Sequence, residues 1–229
     1  MKNPWFVIGV IVVVLFGGAI LLSNSSTKDS NAGVEIIQHI TGNPESEVKL
    51  VEYSDFQCPA CGAFHPVVKQ LLSEYGDRIS FEYKSFPLSN IHPNALSAAM
   101  AAEAAGQQDK FFEFHDLLFD NQSEWSAVSV PTTFFLQYAE EIGLDIEQFK
   151  KQMKSTLLRD KVKADFDEGR ELGVTGTPSF FLNGNKMEFD SYPGFVEQVV
   201  IAVDPTLLNS SSTDSALPQN SQPEVKFGI

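Results

Sequence analysis

The chain has 229 residues with 43% hydrophobic side chains, enough for a sizeable globular core. Its 30 Asp and Glu residues against 16 Lys and Arg leave a formal net charge of −14, which argues against nucleic acid or an anionic membrane surface as a partner and reads as a soluble acidic surface. Two cysteines are too few for a disulfide-stapled scaffold.

Residues 5–22 form an uninterrupted run of 18 residues without charge, inside the range of about 17–25 for a membrane-spanning helix. The run is longer than the ~7–15-residue apolar core of a signal peptide, and no Ala-x-Ala site follows it. It reads as an uncleaved anchor, with cleavage near Ser23-Asn24-Ser25 as the alternative. The absence of a cysteine after the run excludes a lipoprotein. Lys2 and the amino terminus carry the only positive charges before the span, so the remaining chain is expected outside the membrane, in an oxidising compartment. Small polar residues over 23–33 read as a flexible tether, and 34–40 as a first edge strand.

Residues 48–56 form an apolar strand that runs into Cys58-Pro59-Ala60-Cys61, at the head of a helix predicted over 60–74. A thiol at a helix start faces unpaired backbone N–H groups and the positive end of the helix dipole, both of which favour thiolate. Cys58 is therefore the candidate nucleophile. Three plainer readings compete with this one. A structural disulfide across so short a loop restrains the unfolded chain far less than the roughly 3 kcal/mol of a 15-residue loop. A zinc site needs four ligands; His65 could join the two cysteines, but no fourth stands out among His39, His92 and His115, which are scattered along the chain. Inert, buried thiols conflict with Pro59, since proline favours the exposed first turn. His65 itself reads as an exposed polar residue.

An alternating strand over 78–86 comes next, and then a series of helices. Residues 93–105 are rich in strong helix formers, and 109–119 carry an apolar face. Further helices are predicted over 131–142, over 146–158 with Ile146, Phe149, Met153 and Leu157 at spacings of three and four, and over 161–172. His92 and His115 read as helix-start and helix-face residues. Gly173-Val174-Thr175-Gly176-Thr177-Pro178 is a turn opening a short strand over 179–182, a place where proline withholds no ladder N–H. Phe180 and Phe181 in that strand read as core. Asn183-Gly184 signals a hairpin into 186–189, a closing helix follows over 194–203, and the composition from 209 onward reads as disordered.

Cys58-Pro59-Ala60-Cys61 together with Val174-Thr175-Gly176-Thr177-Pro178 resembles the thioredoxin-fold superfamily, in which a cis-proline loop lies against the active-site disulfide. Here 116 residues separate Cys61 from Pro178, far more than in thioredoxin itself, and they read as helices. A helical insertion at this place resembles the DsbA family of thiol-disulfide oxidoreductases, including its membrane-anchored and Gram-positive-type members, over residues 46–203. The resemblance implies an α/β thioredoxin fold with an inserted helical domain, preceded by one N-terminal transmembrane helix. The expected divisions are 1–22 for the anchor or signal, 23–45 for the linker and edge strand, 46–90 and 173–204 for the two parts of the thioredoxin domain, 91–172 for the insertion, and 205–229 for the tail.

The same resemblance implies a redox-active disulfide between Cys58 and Cys61 with no cofactor; no metal ligands are assigned, and calcium, which certain relatives bind, stays open although no loop of dense alternating oxygen ligands is visible. Glu52, six residues before Cys58, occupies the position of a buried acid beneath that disulfide. A buried glutamate has a raised pKa and can exchange the proton of Cys61, whereas a solvent-facing one does neither. Pro59 and Ala60 would tune the reduction potential, and proline at the first of these positions is shared with DsbA-like oxidants. Thr177, before Pro178, would offer backbone groups to an extended substrate peptide. The expected function is the donation of disulfides to reduced exported proteins by an anchored enzyme that a membrane partner reoxidises. The alternatives are a reductase or isomerase running the same exchange in the other direction, a glutathione-dependent relative, and a non-catalytic peptide-binding or chaperone module that would need neither cysteine.

Overall fold

A computed structural model of the chain describes residues 30–209. The expected anchor over 5–22 and the tail beyond 209 lie outside them. Among the described residues no helix is long and apolar enough to cross a membrane.

Five strands, β1 (His39–Gly42), β2 (Lys49–Ser54), β3 (Ser80–Ser85), β4 (Ser179–Leu182) and β5 (Asn185–Lys186), form one sheet in the order β1-β3-β2-β4-β5. β2 and β3 are parallel, and α1 (Pro59–Tyr75) is the crossover that parallel neighbours require. The other pairings are antiparallel. Between β3 and β4 the chain leaves the sheet to build α2 (Ala95–Gly106), α3 (Phe111–Asp120), α4 (Gln122–Trp125), α5 (Thr132–Glu141), α6 (Ile146–Gln152) and α7 (Thr156–Glu171), and after β5 it closes with α8 (Tyr192–Val203) and a 3-10 turn over Pro205–Asn209.

Side chains alternate across the central strand, so β2 serves two cores. Leu50 joins Phe81, Tyr83 and Phe180 beneath α1 in the larger core, while Tyr53 joins Phe86, Val174 and Phe181 on the other face. Phe64 of α1 packs its ring against Phe180, Phe189, Tyr192 and Phe195 at centroid distances of 5.2, 5.5, 4.6 and 5.4 Å, which sets α8 beside α1. On the second face α7 comes close to the sheet at Gly169. A Cβ there would lie 2.8 Å from a Tyr53 ring carbon and 2.9 Å from Phe86. The alanine-rich α2 is buried on nearly every side and sits among α3, α5, α6 and α7.

The structure departs from the sequence reading at several element boundaries. The edge strand is His39–Gly42 rather than 34–40. The helix expected over 146–158 is two, because Ser155 leaves the helical conformation and its hydroxyl caps α7 by accepting from the Leu158 N–H. Leu157, in phase with Met153 by spacing, belongs to the second helix. The hairpin turns on Asn183 (φ 50°) and Gly184 (φ 79°), the paired positive values of a two-residue turn, but β5 ends at Lys186. α8 begins at Tyr192, two residues before the expected start, with the Ser191 hydroxyl accepting from the Gly194 N–H. Asn31, inside the segment read as a tether, docks on the start of α7, where its Oδ1 accepts from Ser155 Oγ at 2.7 Å and Thr156 N at 3.0 Å.

Candidate active site

β2 ends at Ser54, and Asp55, Phe56 and Gln57 turn the chain into α1. Cys58 is the N-cap, with φ −71° and ψ 121°, and Pro59 takes a place in the first turn where its missing N–H costs nothing. No side chain caps this end, so the first-turn N–H groups are left to the Cys58 sulfur. Cys61 follows one turn later on the buried face. Both thiols are free. Pro59 and Ala60 are exposed on the outer side of the turn.

The Thr177–Pro178 peptide is cis, and its loop lies over the dithiol. Cys58 Sγ donates to the Thr177 carbonyl at 3.4 Å, a contact between residues 119 positions apart. This loop leaves Cys58 only 7% exposed, less open than the sequence reading supposed, and Cys61 is wholly buried. The two thiols titrate in opposite directions. The Cys61 side chain is the largest influence bringing Cys58 down to about 5; burial works against it, and Thr177 and the backbone N–H groups of Cys61 and Ala60 assist. Burial, with Cys58 next, holds Cys61 well above its ordinary range. The Thr177 hydroxyl is buried without a partner while Cys58 carries its proton, and a thiolate supplies the acceptor it lacks.

Glu52 lies on β2 beneath the dithiol and is 4% exposed. Burial raises its carboxyl to about 7, the Ser54 hydroxyl partly offsets this, and the charge on Cys58 adds to it. The structure thus brings Glu52, Cys58, Cys61, Thr177 and Pro178 to one end of the sheet.

Several residues that sequence reasoning passed over hold the active-site turn. Asp55 is buried, and its Oδ1 accepts from the Gln57 N–H while Oδ2 accepts from the Leu88 N–H and meets His92 Nδ1 at 2.7 Å. Its carbonyl accepts from the Cys58 N–H at 3.0 Å. Gln57 bridges to the insertion, accepting from the Asn94 N–H and donating to the Ser126 carbonyl. Gln122 reaches back from α4 and donates to the Phe56 and Cys58 carbonyls at 2.7 and 2.9 Å. Gly62 permits this approach, since a Cβ there would stand 2.7 Å from Gln122 Oε1. An aspartate three residues before a helix-capping cysteine was the one local signal available; Gln57, Asn94 and Gln122 carry none.

His65 is buried, not exposed. Its ring stacks on Phe119 at 5.2 Å and meets the His115 ring at 5.3 Å. Burial lowers both imidazoles, His65 to about 4, so both are neutral at pH 7. His92 sits in the loop before α2, half-buried against Asp55.

Residues 35–199 match a family model described as thioredoxin. Probable disulfide bond formation protein D of Bacillus cereus is 31% identical over 195 residues, which cover 81% of this chain and 89% of that protein. A thioredoxin-like oxidoreductase from Silicibacter pomeroyi superposes with a TM-score of 0.61 at 27% identity, over 73% of this chain and 92% of that one. Na(+)/H(+) antiporter NhaA 3 of Salinispora tropica is 38% identical over 148 residues, or 65% of this chain, and the match spans 22% of the antiporter's length. An unequal dithiol under a cis-proline loop, with a helical insertion before that loop, defines a class within the thioredoxin superfamily. The chain belongs to the DsbA-like thiol-disulfide oxidoreductase family.

Proposed function

We propose that this protein passes the Cys58–Cys61 disulfide to reduced, unfolded exported proteins on the outer side of the membrane. The observation that carries the reading is the opposite displacement of the two thiols, with Cys58 brought down to about 5 and Cys61 pushed well up. A substrate thiolate attacks Cys58 Sγ of the oxidised protein, the Cys58–Cys61 bond breaks, and its electron pair goes to Cys61. Cys61 takes up a proton readily, and Glu52, with its carboxyl near 7, supplies it. A second substrate thiolate then attacks the substrate sulfur of the mixed disulfide and expels Cys58 as a thiolate, a leaving group favoured by its low pKa. The substrate gains a disulfide and the protein is left reduced.

In this reading Thr177 and Pro178 receive the substrate backbone as an added strand, and Pro59 and Ala60 tune the potential at the exposed helix start. Residues 5–22 anchor the chain, and a membrane partner reoxidises the dithiol. The name of the Bacillus cereus relative supports the direction of transfer. The test is the equilibrium reduction potential of the Cys58/Cys61 pair in the full chain, titrated against glutathione. A value near roughly −120 mV is expected, and one near roughly −270 mV would make the protein a thioredoxin-like reductase. Cys58→Ser abolishes exchange in either direction; activity that survives it belongs to a peptide-binding module instead.

A further inference from the structure

One helical turn beyond Cys61, α1 meets α3 at a group of side chains that disulfide exchange does not use. His65 Nε2 lies 3.3 Å from Asp120 Oδ1 and 3.8 Å from Asp116 Oδ1. His115 Nδ1 lies 3.0 Å from the same Asp116 Oδ1. Ligating atoms of His65, His115 and Asp116 all fall within 4.8 Å of one another. The other oxygen of each carboxylate faces Lys69 Nζ, at 2.8 Å from Asp116 and 3.6 Å from Asp120. The lysine therefore contacts the Oδ2 atoms, while the Oδ1 atoms are the ones nearest the imidazoles.

As a hydrogen-bond network this group is incomplete. His65 Nε2 is buried without a hydrogen-bond partner, and the 3.3 Å approach of Asp120 is not directed along a hydrogen bond. Buried ring nitrogens are seldom left unpaired, because each forfeits its hydration for nothing. The spacing suits a different occupant. Metal–ligand bonds of about 2.0–2.1 Å arranged tetrahedrally put their ligand atoms roughly 3.3 Å apart, and the separations of 3.0, 3.3 and 3.8 Å bracket that value, although Asp120 approaches His65 without being one of the three mutually close ligands. Two imidazoles with two carboxylates suit zinc and its neighbours, whereas calcium and magnesium take oxygen ligands.

We propose that His65, His115, Asp116 and Asp120 form a binding site for zinc or a similar divalent transition metal, joining the active-site helix α1 to α3 of the insertion. Lys69 is half-exposed on a flexible stem and is the competing cation, which swings outward as the metal enters. The two carboxylates balance the charge of the dication. The site includes none of the residues assigned to exchange, so it stands or falls apart from that reading.

The test is zinc titration calorimetry on the full chain with the Cys58–Cys61 disulfide formed, which removes thiolates as competing ligands. One equivalent of zinc should bind, cobalt(II) should give tetrahedral visible bands without a thiolate charge-transfer band, and the unfolding temperature should rise with zinc. Asp120→Asn alters a half-exposed side chain and should weaken binding by at least about tenfold, the lower end of what loss of even an outer-sphere group costs. Lys69→Met should tighten binding. Failure of the oxidised chain to take up zinc overturns the proposal, as does uptake that Asp120→Asn and His65→Gln leave within about twofold of wild type, or a preference for calcium.

Discussion

The geometry of single groups around Cys58 makes its thiolate. Thr177 acts on both states of the sulfur: its carbonyl accepts from the thiol, which favours the protonated form, whereas its hydroxyl lies buried without a partner until that proton leaves and then donates to the thiolate. Replacing Thr177 with valine keeps the shape and removes the hydroxyl, so Cys58 should titrate about one pH unit higher, read from thiolate ultraviolet absorbance against pH. Glu52 gives a prediction of opposite sign. Its carboxyl is raised from 4.5 to about 7, so the folded chain holds that proton more tightly than the unfolded one. Stability from this group is fully present below pH 4.5 and is lost as pH rises through 7. Glu52→Gln should therefore be more stable than wild type at pH 8 by about 3 kcal/mol and nearly equal to it at pH 4, measured by urea unfolding. Exchange should slow in the same variant if Glu52 is, as proposed, the proton donor to Cys61. Equal stability of the two proteins at pH 8 would place Glu52 in contact with water. Cys58 was legible in the sequence because a thiol at a helix start is a local signal, whereas Pro178 and Glu52 stood out only through their resemblance to the thioredoxin-family pattern. The burial of His65 was not legible, because a histidine on a helix looks the same whether its face meets solvent or a second helix.

At the scale of elements, the insertion and the sheet are joined by buried charge. Glu103 on α2 meets His39 Nε2 of β1 at 2.8 Å and Lys161 Nζ of α7 at 3.2 Å, and Lys161 also meets Asp165 Oδ2 at 2.6 Å. That Asp165 oxygen accepts from the Ser85 N–H at the end of β3. Lys161→Met would leave two buried carboxylates without their cation and should lower stability by about 3–5 kcal/mol, seen as a fall in denaturant midpoint at unchanged slope. Hydrophobic periodicity found most of the elements but not all of their ends. The run over 146–158 reads as one helix because its apolar spacing continues through the break, and only the capping Ser155 marks the interruption. The four residues of α4 are too few to show a period, yet Gln122 at its start is what grips the Cys58 carbonyl.

For the whole molecule, redox state and stability are linked. The Cys58 thiolate exists only in the reduced form, and its pKa is lowered from 9.0 to about 5. The stabilisation it brings to the folded reduced protein is complete above about pH 9 and is lost as pH falls to about 5. The unfolding temperature of the reduced form, measured against the oxidised form by scanning calorimetry, should therefore fall steadily between pH 9 and pH 5; a pH-independent difference would mean that Cys58 is not held as a thiolate. The sequence by itself determined the dithiol at a helix start, the proline-opened strand, the acid six residues upstream and the helical character of the long insertion. These are matters of spacing and local propensity, which a linear chain displays directly. The tertiary structure alone decided how far the Thr177 loop covers Cys58, that Gln57, Asn94 and Gln122 clamp the active-site turn to the insertion, and that His65 and His115, fifty positions apart, share a cluster with Asp116 and Asp120. Those contacts arise from packing between segments distant in sequence, where neither partner carries a mark of the other until the sheet and the helices close around them.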